Sequence, residues 1–152
     1  MDSRAFVAIG ANLGDARATV LRAMDDLDRL PRTRVSARSS LYRSAPVDAG
    51  GPDFVNAVVA LQTGLDPHAL LAELHRLEAG AGRERPYRNA PRTLDLDLLR
   101  HGDAVLETPQ LSLPHPRLAE RAFVLLPLAE IAPEQVTSQQ LAQVADQRIE
   151  RL

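Results

Sequence analysis

Hydrophobic residues along this chain follow two rhythms, one with a period of two and one with the 3.6-residue period of a helix. Residues 5–11 (AFVAIGA) read as a buried strand ending in the small residues Gly10 and Ala11. Asn12, Gly14 and Asp15 follow as a turn, with Asp15 placed to cap a helix. That helix carries Val20, Met24 and Leu27 at helical spacing, with Leu21 beside them, and Pro31 follows its end. Val35, Ala37, Ser39 and Leu41 alternate with Ser36, Arg38, Ser40 and Tyr42, the pattern of a half-buried strand. Residues 45–52 (APVDAGGP) are a loop by composition, and residues 54–61 are another strand, β-branched at Val55, Val58 and Val59. Asp66 and Pro67 open a second helix with a stripe of Leu70, Leu71, Leu74 and Leu77, stopped by Gly80 and Gly82.

The second half is less regular. Residues 82–91 hold two prolines and three arginines in ten positions. Residues 93–99 predict a strand, turned back by residues 101–103 towards Val105 and Leu106. Pro114, His115 and Pro116 lead into a helical region over 118–131, expected to be interrupted at Pro127. Thr137 and Gln140 suggest a capping box for a last helix running up to Arg151. The order β-α-β-β-α-β predicts an α+β fold: a ferredoxin-like split βαβ core with a mainly antiparallel sheet. Helices on both faces would make three α/β/α layers. At 152 residues, a single domain spanning 1–152 is expected.

Composition alters this picture in a few places. Aromatics are 3 % of the chain, so the core must be aliphatic. A net charge of −2 argues against a nucleic-acid partner, and the absence of cysteine excludes thiolate chemistry. No apolar stretch approaches the roughly 20 residues of a membrane helix, so no membrane partner and a cytoplasmic location are expected. All 18 basic residues are arginine. Without lysine, neither a Walker-type phosphate loop nor a Schiff base is available. Any phosphate must be held by arginine, metal and backbone amides.

Asp95 and Asp97 are the strongest chemical feature. Residues two apart on a strand point the same way, so both carboxylates project from the face opposite Leu94, Leu96 and Leu98. Two adjacent anions favour a cation between them, and hard oxygens suit magnesium, which takes one or two carboxylates plus substrate phosphates. Arg83, Arg85, Arg88 and Arg92 would set guanidiniums, which grip phosphate bidentately, beside that ion. His75 and Glu78 share one helix face at the entry to the arginine loop. By spacing alone a solvated surface accounts for that pair, and His115, Asn12 and Asn56 read as structural residues.

The run Arg88-Asn89-Ala90-Pro91-Arg92-Thr93-Leu94-Asp95-Leu96-Asp97-Leu98-Leu99 resembles the signature of the 6-hydroxymethyl-7,8-dihydropterin pyrophosphokinase family of folate synthesis. The resemblance extends over nearly the whole chain, through Ala8-Ile9-Gly10-Ala11-Asn12-Leu13-Gly14-Asp15, Leu41-Tyr42-Arg43-Ser44-Ala45-Pro46-Val47, Phe54-Val55-Asn56-Ala57, Leu113-Pro114-His115-Pro116-Arg117 and Arg121-Ala122-Phe123-Val124-Leu125. It implies that the pterin hydroxymethyl oxygen attacks the β-phosphorus of ATP, taking pyrophosphate and releasing AMP. Two Mg²⁺ ions on Asp95 and Asp97 would bridge the triphosphate, and Arg83 and Arg92 would steady the transferring phosphates. His75, Glu78, Arg85, Leu98, Ser112, His115 and Arg121 match the ATP side. Ser44, Ala45, Pro46 and Val47 would line the pterin pocket, with Phe54 supporting it. Asn56 would read the pterin edge, and Phe123 would stack on the ring. Three mobile loops are implied near residues 11–16, 45–53 and 82–92, in a monomer.

The chain departs from the family pattern at four positions: Asn89 for a common tryptophan, Pro116 for tyrosine, His75 for glutamine and Gln110 for arginine. None removes a metal ligand. A weakened paralogue that binds without turnover is the alternative these departures raise. An RNA-binding module is a third class, for which sheet aromatics and a basic surface would be the sign.

Overall fold

Two of the longest apolar runs become the two central strands of a six-stranded sheet. In the computed structural model, which describes residues 2–45, 52–81 and 94–152, the elements follow in this order: β1 (Ser3–Ala11), α1 (Ala16–Asp28), β2 (Thr33–Arg38), β3 (Tyr42–Ser44), β4 (Phe54–Thr63), α2 (Pro67–Ala81), β5 (Asp95–His101), β6 (Leu106–Glu107), β7 (Ser112–Leu113), α3 (Ala122–Ile131), α4 (Ser138–Gln143) and β8 (Ile149–Arg151). The sheet runs β5-β1-β4-β3-β8, with β2 also on β4, and all its pairings are antiparallel. β2 and β3 occupy successive stretches of the same β4 edge, broken at Ser39–Leu41. Taken as one strand, they complete the ferredoxin-like split βαβ order. β6 and β7 pair separately as a small ribbon.

The sheet divides two cores. On one face Ala5, Val7 and Ile9 of β1, Val59 and Leu61 of β4, and Leu96 and Leu98 of β5 pack against Val20, Met24 and Leu27 of α1 and Leu70 and Leu74 of α2. On the other, Phe6, Ala8, Val58, Ala60 and Leu99 meet Val124, Leu125 and Leu128 of α3. The three-layer expectation therefore holds. Asp15 caps α1, accepting from the Ala18 amide, and Asp66 does the same for α2 through the Ala69 amide.

Four expectations need correction. Leu21 is not part of the stripe of α1; it is 46 % exposed, and Ala23 takes the buried place. Val105 is exposed, and the strand after the Gly102 turn starts at Leu106. The region over 118–131 is interrupted at Arg121, not Pro127: a 3₁₀ turn (Leu118–Glu120) ends there and α3 begins, with Pro127 buried inside the helix. Arg121 is extended (φ −124°, ψ 116°), which ends one helix and starts the next without a proline. Finally, the Thr137/Gln140 capping box is present, but α4 stops at Gln143. Ile149–Arg151 pairs with β3 as an edge strand, a long-range partner that outweighs local helical preference.

Candidate active site

A one-residue irregularity in β5 shapes the site. Val7 pairs with Leu98, but the next residue of β1, Phe6, pairs with Arg100, so Leu99 is the extra residue of a β-bulge. Leu98 and Leu99, adjacent on the strand, enter opposite cores by ordinary alternation. Before the bulge, Asp95 and Asp97 lie opposite Gly10 and Ala8 and project from the α3 side of the sheet. The Leu99 carbonyl, in turn, accepts from the His115 amide (2.9 Å), which holds the Pro114–His115–Pro116 segment beside the acidic strand.

Both aspartates line a cleft of about 760 Å³. Gly10 forms part of its floor; a Cβ there would lie 3.4 Å from Asn56 Oδ1 and 3.8 Å from Phe54 Cδ1. Asn56 is buried, and its amide donates to Ser44 Oγ (2.7 Å), which fixes the Asn56 oxygen towards the Gly10 side. Phe54, Phe123, Ser44 and Ala45 complete that end of the cleft. At the other end the Arg121 guanidinium stands 3.7 Å from Asp97 Oδ2 and 5.4 Å from the centre of the Phe123 ring. His115 Nε2 is 4.0 Å from Asp97 Oδ1. The Arg117 amide donates to His115 Nδ1 (3.1 Å), so in the neutral ring Nε2 carries the proton and faces the acidic pair. Burial lowers the His115 pKa, Asp97 works against that, and Arg121 and Arg117 reinforce it. The net direction is down, so the ring is neutral at pH 7.

Asp95, Asp97, Asn56, Phe54, Phe123, Ser44, Ala45 and Arg121 are thus gathered in one cleft, with His115 against Asp97 at its edge. Other expected residues stand apart. Glu78 accepts a hydrogen bond from the Leu96 amide (2.8 Å), so this α2 carboxylate braces the edge strand between the two aspartates. His75 is exposed on α2, Leu98 is packed in the first core at 2 % exposure, and Ser112 lies on β7. Arg83, Arg85, Arg88, Arg92, Pro46, Val47 and Asn89 lie outside the described residues. Sequence reasoning missed Gly10, Arg117, Glu120, Gln147, Arg148 and Ile149, which also line the cleft. Only Gly10 carried a local signal, as a glycine interrupting a strand.

The model of the family described as 7,8-dihydro-6-hydroxymethylpterin-pyrophosphokinase (HPPK) matches residues 6–133. The chain belongs to this family. Relatives of HPPK type bear this out: a 2-amino-4-hydroxy-6-hydroxymethyldihydropteridine pyrophosphokinase of Pseudomonas aeruginosa is 47 % identical over 135 residues, covering 88 % of this chain and 83 % of the relative. The Haemophilus influenzae enzyme of the same name is 36 % identical and covers 97 % of both chains. Among solved structures, a Plasmodium falciparum HPPK-DHPS A437G protein with pteroate matches with a TM-score of 0.73 at 15 % identity. That match covers 99 % of this chain but 46 % of the larger protein, and it speaks for the HPPK fold alone.

Proposed function

We propose that this HPPK-family chain transfers pyrophosphate from ATP to the hydroxymethyl group of 6-hydroxymethyl-7,8-dihydropterin, releasing AMP, as a step of folate synthesis in the cytoplasm. The observation that carries the reading is the placement of Asp95 and Asp97, side by side in the cleft that also holds Asn56. The enzyme acts as a monomer on these two small substrates, without nucleic acid or membrane. Among the described residues no helix is long and apolar enough to cross a membrane.

The donor set fits magnesium. Two hard carboxylates share one face, and the Asp97 side chain is 42 % exposed, so it is open to an ion that keeps water and phosphate ligands. Bound there, two Mg²⁺ ions would supply neutralisation of the triphosphate charge and alignment of the reacting oxygens. The chain's own residues do the rest. Arg121 and His115 present N–H donors beside Asp97, where nucleotide phosphates would lie, and neutral His115 donates without adding charge. Asn56, locked by Ser44, offers its oxygen to the pterin amino edge, and Phe123 and Phe54 supply the apolar walls that a flat ring needs. Arg83 and Arg92 steady the transferring phosphates, with Arg85, His75, Glu78 and Ser112 on the nucleotide side and Pro46 and Val47 on the pterin side, while the Leu98 side chain backs the strand from the opposite core.

AMP formation from ATP and hydroxymethyldihydropterin, with and without Mg²⁺, tests the proposal. Metal-dependent AMP release is the expected result. Binding of both ligands with no AMP would leave the weakened-paralogue alternative, which rests on the sequence departures alone. RNA binding is less suited to this fold, because α3 covers the second face of the sheet.

A further inference from the structure

Arg121 lies between two helical segments, and its carbonyl accepts from the Val124 and Leu125 amides of α3 (3.1 and 3.0 Å). It is the single extended residue between the 3₁₀ turn and α3, and its own side chain makes no cap to α3. Yet its guanidinium must stay between Asp97 and Phe123. Gln147 adds a hold on the peptide plane before Arg121 and a second one on the plane that α3 already engages. The Gln147 amide nitrogen donates to the Glu120 carbonyl (2.8 Å), and its oxygen accepts from the Ala122 amide (2.9 Å). The first group belongs to the peptide plane before Arg121 and the second to the plane after it. Holding both planes fixes φ and ψ of Arg121, and with them the direction in which its side chain leaves the backbone. The second bond also satisfies the first amide of α3, which no helical carbonyl can reach.

Gln147 is itself held. Val144 is buried in the second core, the Gln147 amide bonds the Val144 carbonyl (3.0 Å), and two residues later Ile149 pairs with Ser44. Gln147 lies beyond residues 6–133, the stretch matched by the family model, while Glu120 and Ala122 lie within it. We propose that Gln147 is a positioning residue for Arg121, acting on the phosphate side of the cleft; the inference rests on the pyrophosphokinase reading for what Arg121 does.

The experiment is a double-mutant cycle of Gln147→Met and Arg121→Ala, read by AMP-forming kinetics, thermal unfolding and the Kd of α,β-methylene-ATP with Mg²⁺. Gln147→Met should lower kcat/KM by about tenfold in the otherwise unchanged chain and by less than about twofold once Arg121 is Ala. Gln147→Glu keeps the acceptor for Ala122 and loses the donor to Glu120, so it should fall between the two. An equal loss from Gln147→Met in both backgrounds, or no loss in either, overturns the inference. If the unaltered protein binds the analogue but forms no AMP, the functional reading fails by itself. The same cycle in Kd then decides the role of Gln147: weakening that needs Arg121 supports it, and weakening independent of Arg121, or none, overturns it.

Discussion

The two faces of the central sheet are built from the same strands, yet only one stays apolar at the end where the other turns acidic. On the α1/α2 face, alternate positions from Ala5 to Ala11, from Val55 to Leu61 and from Leu94 to Leu98 carry Ala, Val, Ile and Leu, with the polar residues Thr63 and His101 only at the far end. On the α3 face, the same strands begin with Phe6, Ala60, Val58 and Leu99 and finish with Gly10, Asn56, Asp97 and Asp95. A continuous apolar face has to be covered by helices, and α1 and α2 cover it. A face that turns polar half-way along cannot bury that half without leaving carboxylates unsolvated. The cleft is the consequence, and the bulge at Leu99 marks the change from apolar to acidic positions. Both faces contribute buried core, but the chemistry is confined to the open half of the α3 face.

Substitutions on the two faces should therefore fail in different ways. The largest effect expected is on turnover: Asp97→Ala should cut kcat by about 10³-fold, through loss of the cation-holding charge. Because Asp97 sits half in solvent, thermal unfolding should move within the equivalent of about 0.5 kcal/mol. Near-normal turnover would remove the aspartate from the mechanism. Leu74→Ala, at a fully buried position opposite, should do the reverse. It should cost about 2–5 kcal/mol in denaturant unfolding, while kcat per folded molecule stays unchanged. A Leu74→Ala protein that lost kcat without losing stability would break the division between the faces.

Gly10→Val probes the boundary itself. The added Cβ meets Asn56 Oδ1 at 3.4 Å, close to ordinary contact, so the strand should tolerate it. Its methyl groups would nevertheless stand on the cleft floor beside Asn56 and Phe54. We expect KM for the pterin to rise about tenfold, equivalent to about 1.4 kcal/mol, with KM for ATP little changed. Equal shifts for both substrates would mean that Gly10 does not separate the pterin end from the phosphate end.

The sequence made the acidic pair legible because a period of two needs no tertiary information: Leu-Asp-Leu-Asp-Leu can hardly do anything but split by face. The caps at Asp15, Asp66 and Thr137 were legible for the same reason, being local. What escaped depends on partners far along the chain. Residues 149–151 read as the end of a helix because β3, their partner, lies more than 100 positions away. Gln147 carries no local signal, since its two bonds reach back 25 and 27 positions. The break at Arg121 was assigned to Pro127 because proline is the stronger local signal, whereas the neighbouring turns and Gln147 set the real one. Glu78 drew notice as a nucleotide contact, and its bond to the Leu96 amide has no trace in the helical pattern.

The smallest expected effect concerns how the second helical layer is fastened at its rim. Glu130 of α3 accepts from Tyr42 Oη (2.7 Å), Ser40 Oγ (2.9 Å) and the Ser40 amide (3.0 Å), bridging the gap between β2 and β3. Burial pushes Glu130 up, but hydrogen bonds from Tyr42 and Ser40, with Arg151 nearby, outweigh it and hold the carboxyl below the usual glutamate range. Its contribution to stability is present above the unfolded pKa, about 4.3, and is lost as pH falls through the lower folded value. Tyr42 moves the other way: desolvation, then the bond to Glu130, pushes it up to about 12. Its contribution is complete below the unfolded value of about 10 and disappears as pH rises through the folded one. Tyr42→Phe should therefore cost about 1 kcal/mol at pH 7 and flatten the alkaline limb of the unfolding curve. The acid limb should survive, since Ser40 and Arg151 still reach Glu130. An unchanged alkaline limb would mean that the fastening of α3 at this rim does not run through the phenol.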